Sequence, residues 1–171
     1  LQAIAWLCVL RMEGLIQSSM PASLHSSEEK ETMPAYQDQD TIEHILSTCK
    51  VIAVVGLSAE WDKPGYYVPE YLQSQGYRII PVNPNLNTAL GEKAYPDLTS
   101  LPESVDLVLL FRRSEAVPPF VEQAIQIGAR AVWMQLGIIN PEAAQRAEQA
   151  GLKVVMNACM MVEHRRWKSS R

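Results

Sequence analysis

The sequence predicts an α/β domain: an open parallel sheet with helices packed on both faces. Three observations predict it. Short runs that are apolar almost throughout, among them VIAVV, VDLVLLF and KVVM, alternate with helical segments. Strands covered on both faces read this way, because the crossover helices of a parallel sheet leave neither face in water. The helical segments are punctuated as helices are, with Asn140-Pro141 opening one and Gly151 closing it. Finally, Gly56 breaks the first apolar run just before a helix, which sets a tight turn at a strand exit.

The elements follow in order. Residues 1–36 differ from the rest: SSMPASLHSSEEKETMPAY is rich in Ser, Glu and Pro and has little to bury, so a disordered leader is expected. Met20 and Met33 are candidate initiators, which would make the apolar first ten residues an upstream extension of the reading frame. The globular domain is expected over residues 38–168. DQDTIEHILSTCK reads as a short amphipathic helix, with Asp40 as N-cap, Glu43 as the reciprocal member of a capping box, and Ile42, Ile45 and Leu46 on one face. VIAVVG is the first strand. A helix from about Gly65 to Gln75 presents Val68, Tyr71 and Leu72, with Gly76 at C′. YRIIPV is the second strand. GEKAYPDLTSLPE is turn-rich, with a short edge strand around Lys93 to Tyr95 and one helical turn. VDLVLLF is a strand, VPPFVEQAIQIG a helix, AVWMQLG a strand, NPEAAQRAEQAG a helix, KVVMNAC the last strand and MMVEHRRW a terminal helix. Right-handed crossovers bring all the strand C-termini to one edge, giving a single Rossmann-like domain.

Composition narrows the function classes. Apolar residues at 47% and charged residues at 20% describe an ordinary globular protein, and 171 residues suffice for one real core. The net charge of -4 argues against nucleic-acid binding, which needs a basic surface. The 3 cysteines, Cys8, Cys49 and Cys159, are scattered, which points to a reducing, cytoplasmic setting. The 3 histidines are equally dispersed, so no metal site is expected. LQAIAWLCVL is too short to span a membrane, and its first charge follows the apolar run, opposite to a secretory signal.

The segments converging at the carboxyl edge carry the chemistry. They are Gly56-Leu57-Ser58 with Lys63, Val82-Asn83-Pro84, Phe111-Arg112-Arg113, Gln135-Leu136-Gly137 and Asn157-Ala158-Cys159. Backbone amides, a lysine and two arginines suit an anionic ligand such as a phosphate. The turn is not the dinucleotide fingerprint, since Ser58 and Trp61 stand where its second and third glycines belong. NAD sites usually place an acid at the end of the second strand. PVNPN has none, which permits a phosphorylated ribose, as in NADP or coenzyme A.

In this order and spacing, VVGLS, KPGYYV, GYRIIPVNP, LGEKAYPDL, VDLVLLFRRSE, GARAVWMQLGI and AGLKVVMNACMMVEHRRW closely resemble the stand-alone CoA-binding domain proteins, the YccU-like family. These are related to the N-terminal domain of the succinyl-CoA synthetase α subunit, and the resemblance covers about Ile45 to Trp167. It implies that Gly56, Leu57, Ser58 and Lys63 cradle the CoA phosphates. It also implies that Val82, Asn83 and Pro84 line the adenosine site, and that Phe111, Arg112 and Arg113 close the other side. Gln135 and Gly137 belong to the expected ligand edge, Gln135 as a polar group within reach. The phosphohistidine domain and ATP-grasp partner of the synthetase have no counterpart in these motifs, so the resemblance implies binding of CoA or an acyl-CoA, as a carrier, sensor or accessory protein, rather than ligation. The protein partner is open. Cys159 and His164 are read as structural, leaving no expected catalytic residue. The alternatives are an NADP-dependent oxidoreductase and a redox-sensing nucleotide-binding module.

Overall fold

The computed structural model describes residues 36–171. The expected leader and the candidate initiators lie outside the described residues, apart from Tyr36. That residue packs with the domain: its backbone carbonyl accepts from Met156 N at 2.9 Å and its side chain is buried.

Five parallel strands form the sheet: β1 (Val51–Val55), β2 (Arg78–Val82), β5 (Leu107–Leu110), β6 (Ala131–Met134) and β7 (Lys153–Met156). Their order is β2-β1-β5-β6-β7. The apolar runs divide by side-chain alternation into two cores. Ile52, Val54, Leu107, Leu109 and Trp133 face one layer, with α1 (Gln39–Thr48), α2 (Pro64–Ser74) and α5 (Met160–Ser169). Ala53, Val55, Val108, Leu110 and Met134 face the other, with α3 (Pro118–Gln126) and α4 (Pro141–Gln149). Uninterrupted apolar strands are therefore what both layers require, as expected from the sequence.

Two local expectations are corrected. The α1 cap is Asp38, whose carboxylate accepts from Thr41 N at 2.9 Å; Asp40 lies inside the first turn. Glu43 accepts instead from the Gln39 side chain at 3.4 Å, so no capping box forms. The helix starts earlier because Gln37 anchors the chain, donating its amide to Asn157 O at 2.9 Å. The second correction is in the crossing after β2. It holds a two-strand ribbon, β3 (Thr88–Ala89) against β4 (Glu92–Lys93), closed by Leu90 and Gly91, both at positive φ. Tyr95 then pairs singly with Val82, and Leu98–Ser100 supplies the expected helical turn.

The order matters for position. Connections leave β1 toward β2 through α2 on one face, and β5 toward β6 and β7 through α3 and α4 on the other. The strand order therefore reverses between β1 and β5, and in open α/β sheets this switch point at the carboxyl edge is where the ligand crevice lies.

Candidate functional site

Gly56 lies at the floor of this crevice. Its φ is +82°, and a Cβ built on it would stand 2.5 Å from Phe111 O and 2.9 Å from Arg112 Cδ. Both the conformation and the space exclude a side chain. Phe111 is held in turn by its N–H bond to Val55 O at 2.9 Å, so the exits of β1 and β5 press directly together.

The loop that follows folds back onto α2. Ser58 N donates to Gly65 O at 3.1 Å. Pro69 lies four residues after Gly65 and has no N–H to give that carbonyl, so the helix interior leaves an acceptor for the loop. A Cβ on Gly65 would sit 3.2 Å from Gly56 O, which makes the pair Gly56 and Gly65 the contact between loop and helix. Leu57 is fully buried, and its carbonyl accepts from the Asn83 side chain at 2.9 Å. Asn83 also takes Asn85 N at 3.0 Å, which folds the β2 exit into a tight turn over Pro84.

These bonds change which groups are open to a ligand. Gly56 N is engaged by Val82 O at 2.9 Å, Ser58 N by Gly65 O, and Ser58 Oγ by Glu60 N at 3.0 Å. The outward-facing donors are instead the cationic side chains. Lys63, the N-cap residue of α2, is exposed and loosely paired with Glu60 at 3.7 Å. Arg112 is exposed, crosses the Gly56 turn, and holds its guanidinium 5.8 Å from the Phe120 ring centroid. Arg113 is exposed too and leads into a single 3₁₀ turn, Ser114–Ala116. Among the described ion pairs neither arginine meets a carboxylate, Glu115 included.

Farther along the edge, Gln135 is buried, with both ends of its amide bonded. Its Nε2 donates to Cys159 Sγ at 3.3 Å and its Oε1 accepts from Met160 N at 3.2 Å. It ties β6 to the start of α5 rather than projecting outward. Gly137, at φ +82°, donates its N–H to Asn157 Oδ1 at 2.8 Å. Cys159 and His164 do not form a pair. His164 is buried with Nδ1 2.9 Å from Tyr71 Oη, edge-on to Tyr71 and Tyr77. Burial, helped by Lys168 and Lys50, holds its pKa below the ordinary imidazole value.

Residues 50–165 match the family model described as a CoA binding domain. The chain belongs to that family. It is 42% identical over 123 residues to the uncharacterized protein YneT of Bacillus subtilis (strain 168), covering 72% of this chain and 91% of that one. A solved structure of a hypothetical protein from Pyrococcus horikoshii OT3 matches with a TM-score of 0.74 and 40% identity, over 77% of this chain and 92% of that chain. A more distant likeness joins it to acetate–CoA ligase (ADP-forming) II of Archaeoglobus fulgidus, 30% identical over 101 residues. That match covers 58% of this chain and only 15% of the ligase.

Two residues of the CoA-binding domain that shape the crevice escape sequence reasoning. Gly65 is disguised by its place inside KPGYYV, where it looks like an ordinary first-turn residue. Pro69 looks like a helix flaw; its spacing from Gly65 is the signal that a carbonyl is left open. A cavity of about 420 Å³ lies at the opposite, amino edge, lined by Thr48, Cys49, Arg130, Gly151 and Lys153. The C-terminal ends of α1, α3 and α4 gather there, and their carbonyls disfavour an anion. Of the two cations that line it, Arg130 is already paired with Asp106 at 3.5 Å. No described helix is long and apolar enough to cross a membrane.

Proposed function

We propose that this domain binds coenzyme A or an acyl-CoA at the β1–β5 crevice and does not itself transform it. The observation that carries the reading is the cationic group of Lys63, Arg112 and Arg113 around the Gly56 turn, unopposed by an acid at the β2 exit. Lys63 and Arg112 take the phosphates, with Arg113 at their rim. Leu57 and Ser58 form the loop wall beneath them, and Phe111 closes the β5 side. Val82, Asn83 and Pro84 line the adenosine. Gln135 and Gly137 shape the neighbouring edge by positioning other groups. Cys159 and His164 are bonded apart, which supports a carrier, sensor or accessory role over catalysis. Cys49 and Cys159 are free thiols, in keeping with a reducing, cytoplasmic setting.

The test is isothermal titration with CoA, dephospho-CoA, NAD and NADPH. CoA binds most tightly, and dephospho-CoA roughly tenfold or more weakly, the effect of losing a charge-assisted contact. Preference for NAD, or no response to CoA, sinks the reading. Because NADPH also bears a ribose phosphate, tighter binding of NADPH than of CoA would favour an oxidoreductase or redox-sensing module instead.

A further inference from the structure

The large apolar side chains that stand exposed among the described residues all lie at one edge. They are Trp61 (78% exposed) in the β1 loop, Tyr67 (38%) in the first turn of α2, Leu136 (65%) and Ile139 (46%) after β6, and Val162 (45%) in the first turn of α5. Every one is at the carboxyl ends of the strands, because α2 and α5 begin there. Exposed apolar residues scattered singly need no explanation, but confinement to the edge of a candidate site does.

Within this set, Leu136 and Ile139 share the loop from β6 to α4, and Val162 stands in the first turn of α5, whose start is bonded to the same strand exit from the other face of the sheet. The β6 exit is tied to the β7 exit by Gly137 N to Asn157 Oδ1 at 2.8 Å and by Gln135 to Cys159 and Met160. It is tied to the β5 exit by Ile139 N to Ser114 Oγ at 2.9 Å and Asn140 Nδ2 to Ser114 O at 2.8 Å. The result is a braced lip over β6 and β7 that carries these three side chains, while the cations lie over β1 and β5 with Trp61 and Tyr67 beside them. Parallel strands are spaced about 4.8 Å apart, so the lip begins roughly 10–14 Å from the Gly56 turn, two to three strands along the sheet. A pantetheine arm has about as many chain bonds as four extended residues and reaches roughly 14 Å. A CoA anchored by its phosphates at the crevice, with its adenosine toward β2, therefore has the reach to bring its sulfur to this lip.

We propose that the physiological ligand is a thioester of CoA with an apolar acyl chain, and that Leu136, Ile139 and Val162 receive that chain. This rests on the CoA reading of the crevice. Free CoA would end at the lip in a small polarizable thiol and leave these side chains in water. An acyl group of several carbons covers them.

The full chain is titrated with CoA, acetyl-CoA, hexanoyl-CoA and octanoyl-CoA. Affinity is expected to rise with chain length, octanoyl-CoA binding roughly tenfold or more tightly than CoA, the effect of removing about two methylenes' worth of surface from water. In the double variant Leu136→Ser/Ile139→Ser the ratio of octanoyl-CoA to CoA affinity falls toward one, and Val162→Ser, on a separate element, lowers it as well. All three positions are exposed, so an unchanged melting curve accompanies each variant. Equal affinity across the acyl series, or a gain that the variants leave intact, overturns the acyl proposal while the CoA reading stands. Failure of every CoA species to bind overturns the reading itself.

Discussion

Replacing Gly56 by alanine tests the central joint of the crevice. Two separable effects are at work. A non-glycine residue in the left-handed region costs roughly 1–2 kcal/mol. Forcing a methyl group into occupied space adds about 1–3 kcal/mol. The second contribution follows from the 2.5 Å approach to Phe111 O, a backbone atom held by the β5–β1 ladder and unable to swing aside. Gly76 is the control: its φ is +91°, yet nothing lies within 4 Å of a Cβ placed there. Gly76→Ala therefore carries the conformational cost alone. Urea denaturation of both variants should show Gly56→Ala the less stable by about 1–3 kcal/mol, with unchanged m-values. CoA titration should show weakened binding for Gly56→Ala, since the turn must open and carry Arg112 with it. Equal destabilisation of the two variants would refute the close approach of β1 and β5.

The remaining predictions concern charge. Arg112→Ala should weaken CoA binding roughly 10–100-fold, the range for a lost charge-assisted hydrogen bond, and reduce its salt sensitivity; Arg113→Ala should do so less. Titrations at two ionic strengths measure both effects, and no change with Arg112→Ala would remove it from the site. Asp106 contributes to acid stability. Burial pushes its carboxyl up, but bonds from Val51 N and Lys50 N, with the Arg130 guanidinium, outweigh this and hold it below the usual carboxylate range. A depressed folded-state pKa means that its stabilisation is present above the ordinary value near 4 and is lost as pH falls through the lower one. Asp106→Ala should cost about 1–3 kcal/mol at neutral pH and show a shallower acid loss, followed by denaturation between pH 2 and 7.

Much of the fold is legible in the chain because its signals are local. Asn140, Pro141 and Gly151 mark α4 correctly: Asn140 accepts from Ala143 N at 2.9 Å and Gly151 has φ +87°. The two cores follow from uniform apolar strands. The α1 cap was less legible because DQD offers two aspartates in neighbouring positions, and the choice is made by Gln37 reaching β7, a contact between residues far apart in the chain. The same limit applies to the crevice. KPG, PVNP and FRR show which residue types meet there, but not that Ser58 and Gly56 have already given their N–H groups to other carbonyls. Gln135 is a further case: its bonds to Cys159 and Met160, at the start of α5, join residues 24 and 25 positions apart and leave no local sign in the sequence.

Those partnerships explain why a crevice made of loops can still be a defined surface. Each strand exit is bonded to another element: Asn83 to Leu57, Ser114 to Ile139, Asn157 to Gly137, Gln135 to Met160. The β1 loop is fastened by Gly65 O, the carbonyl that Pro69 leaves without a helix partner. Ordering flexible segments on binding subtracts from affinity, and a braced edge has less to order. The mobile contributors are then the long cationic side chains, Lys63 and the two arginines. On the proposed reading Lys63 would leave Glu60 for a phosphate, and at 3.7 Å between exposed groups that pair is weak enough to yield. On that reading the architecture separates two tasks: backbone and amide side chains set the shape of the edge, and a few exposed cations would supply the attraction.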